Sequence, residues 1–156
     1  MERAAVGEIR KDPFQTDTCI GQWFYWEGFD YKPAREVVHR LLDIVSKNGN
    51  LLLSTPLLPD GTLDSREESI LEDFTGWIAI HGECIFGSRP WRTYGEGPTN
   101  VPTGQMSERD MKPFTAEDMR FTPQGDKLYC YCLGWPEGDV RIRSLGRNAA
   151  HGPAED

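Results

Sequence analysis

Carboxyl groups and aromatic rings crowd together between residues 17 and 31. Trp23-Phe24-Tyr25-Trp26 is a run of four aromatics, with Asp17 ahead of it and Glu27 and Asp30 just behind. Side chains alternate across a strand, so four consecutive rings cannot all enter one core. Some of them must line a cleft or a subunit contact. Five Trp in all suit a carbohydrate-binding surface, although core packing is the commoner role for any one indole. Carboxyls beside such a wall are groups that can carry protons to and from a bound molecule.

Other polar residues promise less. His39 falls on the polar side of a helical stretch and reads as solvated. Asp43 and Lys47 stand four apart and read as a weak exposed pair. Asp60, within Pro59-Asp60-Gly61, is explained by turn geometry. The four cysteines (Cys19, Cys84, Cys130 and Cys132) form no Cys-x-x-Cys, and the three His are scattered. No metal site and no cofactor are expected. Cys130 and Cys132 alternate along one strand, point the same way, and are badly placed to bridge each other. Reduced thiols are the simplest reading.

The elements that must hold these groups follow from pattern. Residues 16–21 read as a short strand. Pro33 opens a helix at a position that tolerates its missing N–H. Val37, Val38, Leu41, Leu42 and Val45 form its apolar stripe. Asn48-Gly49 ends it. Residues 50–54 read as a strand buried on both faces. A second helix starts near Asp64-Ser65, where Ser65 and Glu68 have capping-box spacing. Ile70, Leu71, Phe74, Trp77 and Ile78 are its expected buried face, and Gly82 its stop. Strand, helix, strand, helix is a βαβα unit of parallel α/β type.

After Trp91 the composition turns to Gly, Pro, Thr and charge, which marks 92–113 as a linker. Residues 119–122 and 128–133 read as a hairpin around Pro123–Asp126, with 140–143 as a third strand of a short antiparallel meander. The tail from Gly146 reads as frayed.

The chain has 156 residues, 38% hydrophobic and 27% charged, a globular composition. Its net charge of −8 disfavours nucleic acid and anionic lipid as partners. No apolar run approaches the roughly 20 residues of a membrane span. The first 14 residues carry no apolar signal-peptide core, so a cytoplasmic location is expected.

The wording of the sequence adds a resemblance. Residues 43–61, DIVSKNGNLLLSTPLLPDG, resemble the last helix-to-strand segment of the α-L-fucosidase barrel. Trp77, Gly82-Glu83 and the stretch Ile85-Phe86-Gly87-Ser88-Arg89-Pro90-Trp91 look like the signature that follows it. Residues 15–21 are similar to the family's penultimate strand. Phe114–Phe121 and Leu133–Pro136 resemble the opening of its C-terminal β-domain. The match runs over about residues 2–145. Ser54 and His81 stand where the family usually has Asn.

The resemblance implies an α/β fold: a partial (β/α) barrel segment over 1–91, a linker over 92–113, the start of a β-domain over 114–145, and a tail over 146–156. It implies a retaining α-L-fucosidase acting on terminal α-linked L-fucose of glycans or aryl fucosides. Retaining enzymes use a nucleophile and an acid/base carboxyl. Glu2-Arg3 fits the family's acid/base stretch, with Ala4 replacing a Gly, so Glu2 is the implied acid/base. The family nucleophile, an Asp on a middle barrel strand, has no match. Asp17, Glu27 and Asp30 are the candidates for a second carboxyl. Trp23 and Phe24 fall where the family sets an aromatic against the sugar's apolar edge.

A complete barrel of this type needs about 250 residues. Two strand–helix units would leave free edges, so a homo-oligomer joined through strand edges and the 23–26 run is expected. The alternative reading is a catalytically inactive piece that binds sugar or serves assembly.

Overall fold

The computed structural model describes residues 1–146. The rest of the expected tail lies outside the described residues. In chain order the elements are β1 (Phe14–Cys19), α1 (Ala34–Val45), β2 (Gly49–Ser54), α2 (Ser65–His81), β3 (Gly95–Glu96), β4 (Met119–Gln124) and β5 (Lys127–Cys132). Short 3₁₀ turns cover Gly82–Cys84, Ser107–Asp110 and Arg143–Leu145.

β1 and β2 pair in parallel, from Phe14 opposite Gly49 to Cys19 opposite Ser54. β1 begins two residues before the expected start and ends where Gly21 lies under the Phe29 ring. α1 follows Pro33 as its stripe dictates. Val38, Leu41 and Leu42 form the core with Ile85 and Leu133, and Leu51, Phe74, Trp77 and Ile78 pack against it. Asn48, at a φ of 74°, turns the chain directly into β2.

β2 departs from expectation. Leu51 faces the helices, but Leu52 is 52% exposed. Cover on both faces was expected; among the described residues α1 and α2 supply it on one. The register therefore leaves Asp17 and Leu52 side by side on an open face.

At α2 the cap is Asp64, whose Oδ1 accepts from the Arg66 N–H at 2.8 Å. The expected capping box fails because Ser65 is already helical while Asp64 is extended. The apolar stripe is only half-buried, and the fully buried residue of α2 is Glu67.

Residues 92–113 contain β3, which pairs with β4 to give the sheet order β3-β4-β5. Residues 140–143 form no strand; instead Glu96 accepts from the Arg143 and Ser144 N–H groups at 2.7 and 2.9 Å. The 92–113 segment also returns to the N-terminus. The Gly104 N–H donates to the Ala5 carbonyl at 3.1 Å, and the Ala5 N–H donates to Ser107 Oγ at 3.0 Å. Glu108 is buried and accepts from the Thr18 hydroxyl at 2.7 Å, with Lys32 at 3.1 Å and Arg40 at 3.5 Å.

The Asp43–Lys47 pair is buried rather than exposed. Lys47 is 0% exposed, and its ammonium donates to both Asp43 oxygens at 2.7 and 2.8 Å and to the Val6 carbonyl at 2.8 Å. Arg120 Nε of β4 adds a bond to Asp43 Oδ1 at 2.7 Å. The Tyr94 ring lies 4.6 Å from Lys47 Nζ and 5.4 Å from Arg120 Cζ. Burial pulls the Lys47 pKa below its usual value, opposed by Asp43. Helical spacing made the pair; the β4 side chains above it took it out of water.

Candidate functional site at the ends of the parallel strands

Residues 1–3 run parallel to β1 on the edge away from β2. Glu2 is bridged to Asp17, and the Arg3 N–H donates to the Asp17 carbonyl at 3.1 Å and to its Oδ1 at 3.0 Å. Parallel neighbours lie about 4.8 Å apart, so two carboxyl-bearing residues share one strand edge. The Glu2 carbonyl accepts from the Met106 N–H at 3.1 Å, which anchors its backbone. Its side chain is exposed and makes no hydrogen bond or ion pair among the described residues.

Arg3 follows at a φ of 41°, a left-handed position unusual for a residue with a Cβ. The twist sends its guanidinium across the end of β1. Nη2 contacts Cys19 Sγ at 2.6 Å and Gln22 Oε1 at 3.3 Å. Arg3 Cζ lies 4.9 Å from the Trp23 ring centre, a cation–π contact. The Cys19 thiol is pushed up by burial, with Lys32 and Arg3 pulling the other way. Trp23 is thereby held by Arg3, half-buried, with part of its ring free.

The other expected groups scatter. Phe24 is 79% exposed and points away from any packing. Glu27 and Asp30 are exposed on the loop that turns at Gly28, where φ is 86°. Tyr25, Trp26 and Tyr31 instead gather round the buried Phe29, with ring centres 5.8, 5.1 and 4.7 Å away. The structure thus bridges Glu2 to Asp17 and ties Trp23 to Arg3, and leaves Phe24, Glu27 and Asp30 outside.

Three residues here are given no role at the site by the sequence reading. Cys19 and Asp17 share a strand face by their spacing of two, a signal present in the sequence. Arg3 has none, since its role depends on a backbone twist. Glu67 lies one turn before Ile70 and Leu71, on the extension of their stripe. Both its carboxylate oxygens are buried without a partner among the described residues, and its pKa rises to about 7 through burial first and Asp64 second. Tyr31 links the aromatic loop to this helix start, its ring 4.8 Å from Arg66 Cζ.

Known proteins resemble this chain in sequence and fold. A profile of the alpha-L-fucosidase family matches residues 1–83. Plasma alpha-L-fucosidase of Homo sapiens is 33% identical over 120 residues, which cover 75% of this chain and 25% of the relative. Tissue alpha-L-fucosidase of Homo sapiens is 28% identical over 111 residues, 71% of this chain and 20% of the relative. Among solved structures, the Thermotoga maritima alpha-fucosidase in complex with fucose aligns with a TM-score of 0.68 at 24% identity, over 86% of this chain and 28% of that one. Alpha-L-fucosidase isoenzyme 1 from Paenibacillus thiaminolyticus aligns with a TM-score of 0.70 at 22% identity, over 92% and 31%. These structural likenesses speak for the fold alone.

A mixed α/β unit with its carboxylates at one strand edge thus stands among the glycoside hydrolases. Within that class the chain belongs to the α-L-fucosidase family. It spans about a quarter of the length of the curated relatives it matches.

Proposed function

We propose that the chain carries the acid/base side of an α-L-fucosidase site that hydrolyses terminal α-linked L-fucose with retention. The observation behind this reading is the bridge between Glu2 and Asp17, with Trp23 held by Arg3 beside it. On this reading the βαβα unit is part of a (β/α) barrel, and the open face bearing Asp17 and Leu52 looks toward its interior.

The chemistry runs in two steps. Protonated Glu2 donates to the leaving glycosidic oxygen while a carboxylate attacks the anomeric carbon. Glu2, now ionised, then takes a proton from the water that opens the glycosyl ester. Its exposure lets it exchange protons with solvent between turnovers. Of the three candidate second carboxyls, Asp17 alone neighbours Glu2. The Arg3 N–H occupies one of its oxygens and leaves the other unbonded among the described residues. Trp23 offers an apolar wall to the C5 methyl of fucose. The substrate is a fucosylated glycan, and strand edges and the 23–26 run join copies of the chain in a homo-oligomer.

Hydrolysis of a chromogenic α-L-fucoside tests the reading, with Glu2→Gln and Asp17→Asn run in parallel. Loss of general acid/base action lowers kcat by about 10²–10⁴-fold, so Glu2→Gln is expected to fall into that range. Undiminished turnover in Glu2→Gln would remove Glu2 from the mechanism. The alternative reading is a sugar-binding piece without turnover. Fucose binding by an inactive wild-type chain would establish it.

A further inference from the structure

A second concave surface lies away from the strand ends. It is a cleft of about 520 Å³ between the first half of α1, the last half of α2 and the end of β5. That volume falls within the about 300–1,000 Å³ of small-molecule sites. None of its walls comes from β1, β2 or the aromatic loop.

Two indoles flank it. Trp77 stacks on His81 one turn along α2, with ring centres 4.7 Å apart. Trp135 stands at the rim, 92% exposed. Its position is set by the backbone, because Gly134 packs so closely that a Cβ there would meet Ala116 N at 2.7 Å. Arg35, His39 and Asp73 also line it, Arg35 and Asp73 exposed and His39 half-buried. Among the described residues none of these three side chains makes a hydrogen bond or an ion pair. Burial, followed by Arg35 and Arg120, holds His39 down to about 4. Its imidazole is therefore neutral at physiological pH and can both donate and accept.

Flat aromatic faces beside unspent donors and acceptors match one ligand chemistry. A pyranose ring has an apolar C–H face that lies on an indole, and hydroxyls at its edge that bond to guanidinium, imidazole and carboxylate groups. We propose that this cleft is a second carbohydrate-binding site, with Trp135 and Trp77 as its stacking surfaces and Arg35, His39 and Asp73 as its hydroxyl partners. It would hold a pyranose of a glycan apart from the Glu2–Trp23 edge.

Indole N–H resonances of ¹⁵N-tryptophan-labelled protein test this during titration with lactose and with 2′-fucosyllactose. Saturable shifts of the Trp77 and Trp135 signals are expected with at least one sugar. Trp135→Ala should weaken that binding at least tenfold and keep the wild-type melting temperature, since the ring is exposed. Trp23→Ala should leave it unchanged. If only the Trp23 signal responds, the second site is overturned while the fucosidase reading stands. Sugar-independent shifts with 8-anilinonaphthalene-1-sulfonate alone would make the cleft an apolar surface and likewise overturn the proposal. If Trp135→Ala retains full affinity, the cleft is not where the sugar sits.

Discussion

Arg3 does two jobs from one strained position. Its backbone N–H ties Glu2's strand to Asp17, and its guanidinium holds Trp23. A cation–π contact of this kind contributes about 0.5–2 kcal/mol. Arg3→Ala is therefore expected to raise KM for an aryl fucoside about 2- to 30-fold. Arg3→Lys should recover only part of it, because an ammonium cannot span Cys19, Gln22 and the ring together. A change in kcat with KM untouched would place Arg3 elsewhere in the mechanism. Glu67 acts on stability instead. The folded state keeps a proton on Glu67 up to about pH 7, whereas the unfolded chain releases it in the ordinary carboxyl range. Between those limits the folded state binds more protons, so stability falls as pH rises. His39, held down to about 4, has the opposite slope: there the unfolded chain takes up the proton first, and stability rises with pH toward the ordinary imidazole range. Melting temperatures recorded from pH 4 to 8 should lose their falling component in Glu67→Gln and keep the rising one. A falling component that survives would mean Glu67 is ionised in the fold.

At the scale of elements, the join between α1 and β4 rests on charge. Asp43 faces Lys47 and Arg120 out of water, so removing it strands two buried cations. Breaking such a group by deleting one partner costs about 3–5 kcal/mol. Asp43→Ala is expected to show that loss in urea unfolding, and a loss under 1 kcal/mol would mean the network is solvated. Asp43 and Lys47 also mark how far the sequence could be read. Their spacing showed that they meet, but not what covers them, because cover comes from Arg120 and Tyr94 far along the chain. α1, α2 and the β4–β5 hairpin were legible because apolar spacing and turn residues are local. β3 was not, since two residues carry no period. Glu2 and Trp23 could be named from resemblance to a family. The pairing of Glu2 with Asp17 depends on a parallel bridge and the contact of Trp23 with Arg3 on a backbone twist, and neither leaves a trace in composition.

For the molecule as a whole, the edge strand β2 bears on the proposed assembly. Leu52 offers an apolar surface there with nothing over it among the described residues. Sedimentation of the wild-type chain at micromolar concentration should show a species larger than a monomer, and Leu52→Lys should shift it toward monomer. A monomeric wild type would remove self-association from the proposal. The segment around Ser107 and Glu108 has a different kind of consequence. It bonds Ala5 and Thr18, partners 102 and 90 residues earlier. Such distant contacts slow folding, because a long loop must close before they form. During synthesis the Thr18 face of β1 waits uncovered until the ribosome has delivered Glu108. This strand is thus completed long after it is made, and that interval is when a chaperone or a second nascent chain has its best access to it.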